Sequence, residues 1–458
     1  MSPSLATLSR GALLVAAAIL VPACGGSGGG GDAPAAAAGP PVVASVFPLG
    51  APVGGKFRLT GAGFVDIAEV RIGPASCAFV VEGPTSILAT VPAAADTGRV
   101  AVTTPLGTAT SSADFRVVTA AKIAAALQEH ATNSGTGLVM LYEFPGEPVL
   151  VFHESYQSGT ASTPRLIASA TKTLNGILLA AALDDGIISS LDDKVAEVIT
   201  EWAGDPLKAQ ITLDHLITLS SGLDATGTLA GSDFDVAINQ PLSAGTLAHG
   251  VGTEFVYGGD PFQVFELYLL RRMGRPSNPL ALGTTRSAQF AYDAPILPMG
   301  MAYLKERVNS RPGVWKWSAI NTTPNEADPA MGGGALFTTM EFARLGQFLL
   351  NRGAQTYGGP QVISPSRIDL ISTPTPYADP VPANPTTTYG HAAWIGYGGQ
   401  SPAAGTPPAS LYSAAGAGKN MCWVLPAFRM ALARHAAIPA GTSMDEHEFF
   451  VGLGLTDP

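Results

Sequence analysis

The stretch Ala168–Lys172 (ASATK), which opens the apolar run Thr173–Leu183 (TLNGILLAAAL), decides how the rest of this chain is interpreted. Residues three apart on a helix lie on one face, so the Ser169 hydroxyl and the Lys172 amine are predicted to be neighbours. Apolar residues at positions 174, 177, 178 and 181 have helical spacing and predict a buried helix face. Burial lowers the pKa of a lysine, so a neutral amine could take the serine proton. The stretch therefore predicts a nucleophile beside a base, although S-x-x-K alone is common and needs support from its neighbourhood.

The composition excludes several classes of protein. The chain has 458 residues, more than one ordinary core holds, which favours two or three domains. A net charge of −10 without a long run of Lys and Arg argues against nucleic-acid binding. The seven histidines are scattered and no Cys/His cluster has zinc-ligand spacing, so we expect no metal and no cofactor. Cys77 and Cys422 lie in different predicted domains, which does not indicate a disulfide framework.

The first residues have the features of an export signal. Arg10 precedes the apolar run Gly11–Leu20, which is too short to span a membrane comfortably. The following Val21–Cys24 resembles the lipobox of bacterial lipoproteins, which implies a signal peptide over residues 1–24 and a lipid on Cys24. The alternative is an ordinary signal peptide cleaved near Ala23. Both alternatives predict an exported protein, and the first anchors it to a membrane of the bacterial cell envelope.

The residue composition changes twice between this signal and the Ser169 stretch. Residues 25–40 are rich in Gly and Ala and are predicted to be a flexible tether. Residues 41–118 then consist of short alternating segments separated by Gly and Pro, at a spacing of about 8 to 12 residues. This spacing predicts a small antiparallel β-sandwich.

Four segments of the predicted sandwich resemble, in order, those of an IPT/TIG immunoglobulin-like domain. They are Val46–Pro48, Leu59–Phe64, Val70–Gly73 and Ile87–Pro92. No polar constellation in this region indicates chemistry. Two roles stay open, a spacer and a module that contacts a cell surface, a polysaccharide or a protein.

The residues before Ser169 predict the start of a second domain. Ala120–Ala131 is a short helix candidate, and Gly137–Tyr142 and Val149–Phe152 form a predicted hairpin. The apolar Arg165–Ala168 then leads into Ser169 at a helix start. The first backbone N–H groups of a helix are unpaired and can point at a developing oxyanion.

From here the chain resembles the serine hydrolases of the penicillin-binding-protein and class C β-lactamase superfamily, with their esterase and carboxypeptidase relatives. Three further landmarks follow the nucleophile in the family's order: Asp185–Val195, Ile211–Leu223 and Met331–Gly346. The resemblance implies an α+β fold over residues 120–458, with an antiparallel sheet flanked by helices plus a helical subdomain.

The resemblance also implies a third catalytic side chain. The segment Phe255–Asp260 stands where the family carries its Tyr-x-Asn motif, so Tyr257 is expected to relay protons as a phenol or phenolate. A phenol near a cationic lysine titrates more easily. The Asn position is Gly259, so the amide that would orient an acylamino substrate is missing.

The family's last motif, Lys-Thr-Gly or His-Thr-Gly, is matched by Ala414, Ala415 and Gly416. The resemblance implies that the N–H of Ala417 completes an oxyanion hole with that of Ser169. The cation that would bind a substrate carboxylate is absent at position 414, and the alanine pair leaves an apolar wall. Lys419 could reach into the cleft instead, or be solvated at the surface.

The residues together predict an exported serine hydrolase that acts on a small-molecule ester or amide through an acyl-enzyme, with ester cleavage favoured. Amide hydrolysis of the β-lactamase or D-Ala-D-Ala carboxypeptidase type is the second possibility. A non-catalytic surface binding protein with a relic hydrolase fold is the third. The altered motifs at Gly259 and Ala414 keep this third possibility open, and the intact Ser169, Lys172 and Tyr257 weigh against it.

Overall fold

The computed structural model describes residues 39–130, 136–156, 164–223, 234–273, 304, 308, 331–375, 388–398, 406–436 and 444–457. The predicted signal peptide, the lipid on Cys24 and most of the tether lie outside these residues. In the described part of the chain, no helix has both the length and the apolar character that crossing a membrane requires. The same residues contain no group of His, Cys, Asp and Glu side chains that could hold a metal ion.

Residues 42–118 form the predicted β-sandwich. One sheet has the strand order β1-β3-β7-β6, and the other has the order β2-β9-β8-β4-β5. Alternate residues of the inner strands are buried between the sheets, among them Phe57, Leu59, Val70 and Ile72. The strands are β1 (Val42–Phe47), β2 (Gly50–Pro52), β3 (Lys56–Ala62), β4 (Glu69–Ile72), β5 (Ala75–Ser76), β6 (Phe79–Gly83), β7 (Ser86–Thr90), β8 (Gly98–Thr104) and β9 (Gly107–Val118).

The second domain is built on an antiparallel sheet with the order β11-β10-β18-β17-β16-β15-β14. Its first two strands are the predicted hairpin, paired from Thr136 opposite Tyr156 to Tyr142 opposite Leu150. The strands are β10 (Thr136–Tyr142), β11 (Leu150–Tyr156), β14 (Thr388–Tyr389), β15 (Trp394–Ile395), β16 (Tyr412–Gly416), β17 (Asn420–Leu425) and β18 (Met430–His435). A separate two-stranded sheet joins β12 (Arg165–Leu166) to β13 (Leu336–Phe337).

Helices cover both faces of this sheet. The described helices are α1 (Ala120–His130), α2 (Lys172–Asp184), α3 (Leu213–Ile217), α4 (Phe234–Asn239), α5 (Ala244–His249), α6 (Asp260–Arg272), α7 (Thr339–Leu350), α8 (Pro365–Ile368) and α9 (Glu446–Leu453). Side chains alternate across the sheet, so Val139 and Leu141 pack in the core that contains α2, α6 and α7. Met140 and Tyr142 pack on the other side with α1 and α9. The fold is that of the β-lactamase/transpeptidase class.

The sandwich packs directly on the second of these faces. One hydrophobic cluster runs from the sandwich interior to Leu138, Met140 and Tyr142 of the large sheet. The Tyr142 hydroxyl donates a hydrogen bond to the carbonyl oxygen of Lys56. The Arg58 guanidinium lies 5.4 Å from the centre of the Phe144 ring. The two domains therefore share one core instead of meeting only through a linker.

Helix α2 is buried more completely than its sequence pattern indicates. The spacing of its apolar residues predicts one buried face, whereas every residue from Lys172 to Leu183 is buried. The run contains small and apolar side chains on all sides, which is the composition of a central helix. Only Lys172, Thr173 and Asn175 bring polar groups into this interior, and Lys172 and Asn175 bond to the segment beside Ser169.

Candidate active site

Ser169 lies at a strained turn between β12 and α2. The prediction places it at the start of the α-helix, but residues Ala168–Thr171 form a 3₁₀ turn and α2 begins at Lys172. Ala168 has a φ of +49°, in the left-handed region that residues with a Cβ rarely adopt. Such strain is common where a backbone must present a reactive group. Ser169 itself stays partly exposed.

Lys172 is a buried amine directed at the Ser169 hydroxyl. Only 2% of the residue is exposed. Its Nζ lies 3.2 Å from Ser169 Oγ and donates a second hydrogen bond of 2.8 Å to the carbonyl oxygen of Gly332. Burial disfavours the charged ammonium and lowers the pKa of Lys172 to about 7. A large fraction of the amine is therefore neutral near pH 7 and able to accept the serine proton.

Tyr257 reaches the same point from a distant part of the chain. Its phenol shares a hydrogen bond with the side chain of Ser169, and its ring centre lies 4.7 Å from Lys172 Nζ. Burial is the largest influence on the phenol and raises the pKa of Tyr257, while the bond with Ser169 opposes that rise. The prediction that the phenol beside the lysine titrates more easily is therefore wrong, because burial, the largest influence, raises its pKa. Near neutral pH the Tyr257 phenol is therefore protonated.

Aromatic rings hold Tyr257 in place. The centre of its ring lies 5.6 Å from that of Trp394 and 6.2 Å from that of Phe255. The Val256 N–H donates a hydrogen bond of 2.8 Å to the carbonyl oxygen of Leu219, which ties this loop to the segment after α3. The phenol thus has a fixed support, which a proton relay requires.

The Gly-rich segment Met331–Ala335 connects the two halves of the site. Its carbonyl groups accept hydrogen bonds from Lys172 Nζ and Asn175 Nδ2, at 2.8 Å each. The Ile167 N–H donates to the carbonyl oxygen of Ala335 over 2.9 Å, in line with the pairing of β12 and β13. The sequence marks this segment only as a landmark, and the structure shows that it brackets the nucleophile turn. Asn175 lies one helical turn after Lys172 and so on the same helix face, and this spacing is the signal that could have identified Asn175 as a second contact to the segment.

The end of strand β16 touches the nucleophile turn through Gly416. A Cβ added to Gly416 would lie 2.0 Å from the carbonyl oxygen of Ile167 and 3.2 Å from the backbone nitrogen of Ala170. Only glycine allows this approach. The next residue, Ala417, has an exposed side chain. The backbone N–H groups of Ser169 and Ala417 are thus carried by two segments in direct contact.

The other predicted substrate-binding residues differ in exposure. Ala414 is 2% exposed and packs in the hydrophobic core, so its methyl group faces away from solvent. Ala415 is partly buried. Gly259 is buried at the start of α6 and has a φ of −98°, which any residue can adopt. Substrate contacts by Gly259, Ala414 and Ala415 stay predictions.

Lys419 neither enters the cleft nor extends into solvent. Its Nζ forms a 3.0 Å ion pair with Glu446, whose side chain is fully buried. Two neighbours hold the same turn: Asn420 Nδ2 donates to the carbonyl oxygen of Ala417 over 2.8 Å, and Arg434 donates to that of Lys419 over 2.6 Å. The cation at position 419 therefore supports the segment that carries the Ala417 N–H.

Two family profiles match the sequence. The profile of the beta-lactamase family matches residues 149–449, and that of the IPT/TIG domain matches residues 41–117. No curated protein matches the sequence.

Similar solved structures include three bacterial proteins. A penicillin-binding protein homolog from Caulobacter crescentus is 16% identical, with 73% of this chain and 95% of that chain covered and a TM-score of 0.49. A beta-lactamase from Mycobacterium bovis is 18% identical, with 72% of this chain and 95% of that chain covered and a TM-score of 0.47. A D-stereospecific amidohydrolase from Streptomyces sp. is 14% identical, with 68% of this chain and 93% of that chain covered and a TM-score of 0.42. Because the family profile spans more than half of the residues and contains the Ser169 turn, this chain belongs to the beta-lactamase family of serine hydrolases, with an IPT/TIG domain before it.

Proposed function

We propose that the protein hydrolyses an uncharged ester or a small amide through an acyl-enzyme on Ser169. The observation that carries this proposal is the 3.2 Å contact between Ser169 Oγ and the buried amine of Lys172. A serine hydroxyl is a weak nucleophile until a neighbouring base removes its proton. A pKa of about 7 makes Lys172 such a base near neutral pH.

The reaction begins with transfer of the Ser169 hydroxyl proton to Lys172 Nζ as Oγ attacks the substrate carbonyl carbon. The carbonyl π electrons move to oxygen, and the N–H groups of Ser169 and Ala417 would donate to the resulting oxyanion. Loss of one such donor typically slows turnover by about 100- to 1,000-fold.

The intermediate then collapses with loss of the leaving group. The bond from carbon to the leaving group breaks, the leaving group takes the proton of the Tyr257 phenol, and the proton held by Lys172 restores the phenol. Water hydrolyses the acylated Ser169 by the same steps in reverse order. Tyr257 suits this donor role because burial raises the pKa of its phenol.

The residues at positions 259 and 414 favour ester substrates. Glycine and alanine at these positions offer neither an amide for an acylamino group nor a cation for a carboxylate. Small uncharged acyl groups therefore fit better than β-lactams or peptide termini. Hydrolysis of a small amide is the second candidate, because a protonated phenol can supply the proton that an amine leaving group needs.

A panel of substrates tests this proposal. We expect p-nitrophenyl acetate and butyrate to be hydrolysed by the wild type and not by Ser169→Ala, with a chromogenic cephalosporin cleaved more slowly. Equal residual rates for the wild type and Ser169→Ala on all substrates would instead favour the relic binding protein.

We further propose that the protein is exported and anchored in the bacterial cell envelope by a lipid on Cys24. The support is the apolar run Gly11–Leu20 followed by Val21–Cys24. In cells fed an alkyne-labelled fatty acid, the wild type should become labelled and stay with membranes, and Cys24→Ser should lose the label. Unlabelled wild-type protein released by the cells would support an ordinary signal peptide instead.

A further inference from the structure

The hydroxyl of Thr171 holds the peptide group that joins Ala168 to Ser169. Thr171 Oγ1 donates a hydrogen bond of 2.6 Å to the carbonyl oxygen of Ala168. Thr171 Oγ1 also accepts a hydrogen bond of 3.1 Å from the backbone N–H of Ala335. The Ala335 N–H uses a lone pair of Thr171 Oγ1, so the hydroxyl proton itself is directed at the carbonyl oxygen of Ala168. Thr171 is 2% exposed, so water does not compete for these bonds.

This contact determines where the Ser169 N–H points. The carbonyl of Ala168 and the N–H of Ser169 belong to one planar, trans peptide group, so they point in opposite directions. A hydrogen bond that fixes the carbonyl therefore fixes the N–H as well. The turn needs such a restraint because Ala168, at a φ of +49°, is in a conformation that its Cβ disfavours.

We propose that Thr171 is a positioning residue for the oxyanion hole, holding the Ala168–Ser169 peptide so that its N–H faces the reacting carbonyl. This inference rests on the proposed hydrolase function. Through Ala335, the hydroxyl also links the nucleophile turn to the Gly-rich segment Met331–Ala335. The Ser169 N–H, the Lys172 amine and the Gly332 carbonyl are thereby fixed relative to one another.

Three substitutions separate this role from general packing. Thr171→Val keeps the shape of the side chain and removes the hydroxyl, whereas Thr171→Ser keeps the hydroxyl and removes a methyl group. Thr173→Val is the matched control, because Thr173 is equally buried two residues further along the chain, in α2, and its hydroxyl donates to the carbonyl oxygen of Ala392 over 2.8 Å, away from the Ser169 peptide.

The readouts are kcat/KM for p-nitrophenyl butyrate and the affinity for an aryl boronic acid, whose tetrahedral adduct on Ser169 places an oxygen in the oxyanion hole. We expect Thr171→Val to lower both by about 10- to 100-fold, somewhat less than the loss of a whole donor. KM and the pH midpoint should stay unchanged, because Lys172 is untouched. Thr171→Ser and Thr173→Val should stay within about threefold of the wild type, since they keep this hydrogen bond.

The inference is overturned if Thr171→Val binds the boronic acid as tightly as Thr171→Ser does, or if Thr173→Val loses as much affinity. It is also overturned if Thr171→Val and Thr171→Ala both fail to fold, because the hydroxyl would then serve stability. A wild type without esterase or amidase activity would refute the proposed function. An active wild type, with Thr171→Val and Thr171→Ser equal to each other in kcat/KM and in boronic acid affinity, would refute this inference alone.

Discussion

In the proposed mechanism Lys172 is the base, and its charge state changes near neutral pH because burial lowers its pKa to about 7. The free amine is the active form, so kcat/KM should rise as the pH increases and reach half its plateau near the pKa of about 7. A pH profile of ester hydrolysis between pH 5 and 9 measures this midpoint. A flat profile, or a midpoint above pH 9, would contradict the assignment of Lys172 as base.

Replacing this lysine by arginine tests the same point. A guanidinium stays protonated throughout this range, so Lys172→Arg should lower kcat by about 100- to 10,000-fold, the usual contribution of a positioned base. Lys194→Arg is the control, because Lys194 is exposed and donates to the carbonyl oxygen of Gln210. Full activity in Lys172→Arg would show that another group accepts the Ser169 proton.

Tyr257 should matter most when the leaving group needs a proton. Tyr257→Phe keeps the ring beside Trp394 and Lys172 and removes only the hydroxyl. We expect a loss of kcat of about 100-fold or more for an alkyl ester and a clearly smaller loss for a p-nitrophenyl ester, whose phenolate leaves unprotonated. Equal losses for both esters, measured by product release, would argue against proton donation by Tyr257.

Strand β16 ends at Gly416 and positions the Ala417 N–H, the second donor of the proposed oxyanion hole. Glycine is required at position 416 for steric reasons. In Gly416→Ala the new Cβ would meet the Ile167 carbonyl oxygen at 2.0 Å, so β16 must move away from the nucleophile turn. Displacement of the Ala417 N–H should lower kcat/KM by about 100-fold or more.

Gly204→Ala is the matched control for this substitution, since a Cβ at Gly204 meets nothing within 4 Å. We expect it to keep the wild-type kcat/KM. Retention of full activity by Gly416→Ala would mean that the end of β16 takes no part in catalysis.

The elements differ in how far their sequence predicts them. The hairpin of β10 and β11 and helix α1 are predicted closely, because alternation and helical spacing are local signals. The 3₁₀ turn at Ser169 is not predicted, because the Thr171 hydroxyl that bonds to the strained Ala168 is itself held by the distant Ala335 N–H. The bonds between Thr171 and Ala335 and between Lys419 and Glu446 join residues 164 and 27 positions apart, which no local pattern contains.

The site was predicted better than its electrostatics. The S-x-x-K pattern predicts Ser169 and Lys172, the family resemblance implies Tyr257, and the structure brings all three together. The direction of the pKa shift of Tyr257 depends on its burial in the folded protein, which the sequence alone does not reveal. The role of Lys419 depends in the same way on Glu446, which lies buried at the start of α9.

The shared core predicts that the sandwich and the hydrolase domain unfold together. Calorimetry of the whole chain should show one cooperative transition, because apolar residues of both domains form a single cluster. Tyr142→Phe removes the bond to Lys56 and should lower the Tm of that transition by about 1 to 2 °C in a chain of this length.

Ser45→Ala, which changes an exposed bond within the sandwich alone, is the control for this substitution. It should leave the Tm within error of the wild type. Two transitions, with Tyr142→Phe changing only one of them, would mean that the sandwich is an independent module joined by a linker.

Covalent capture of Ser169 tests the central claim most directly. The protein is incubated with a fluorophosphonate at pH 8, and the adduct is located by mass spectrometry of proteolytic peptides. The account predicts one phosphonate on Ser169 of the wild type, no adduct in Ser169→Ala, and slow labelling of Ser169 in Lys172→Arg. An unlabelled wild type, or an adduct on a different serine that persists in Ser169→Ala, would contradict it.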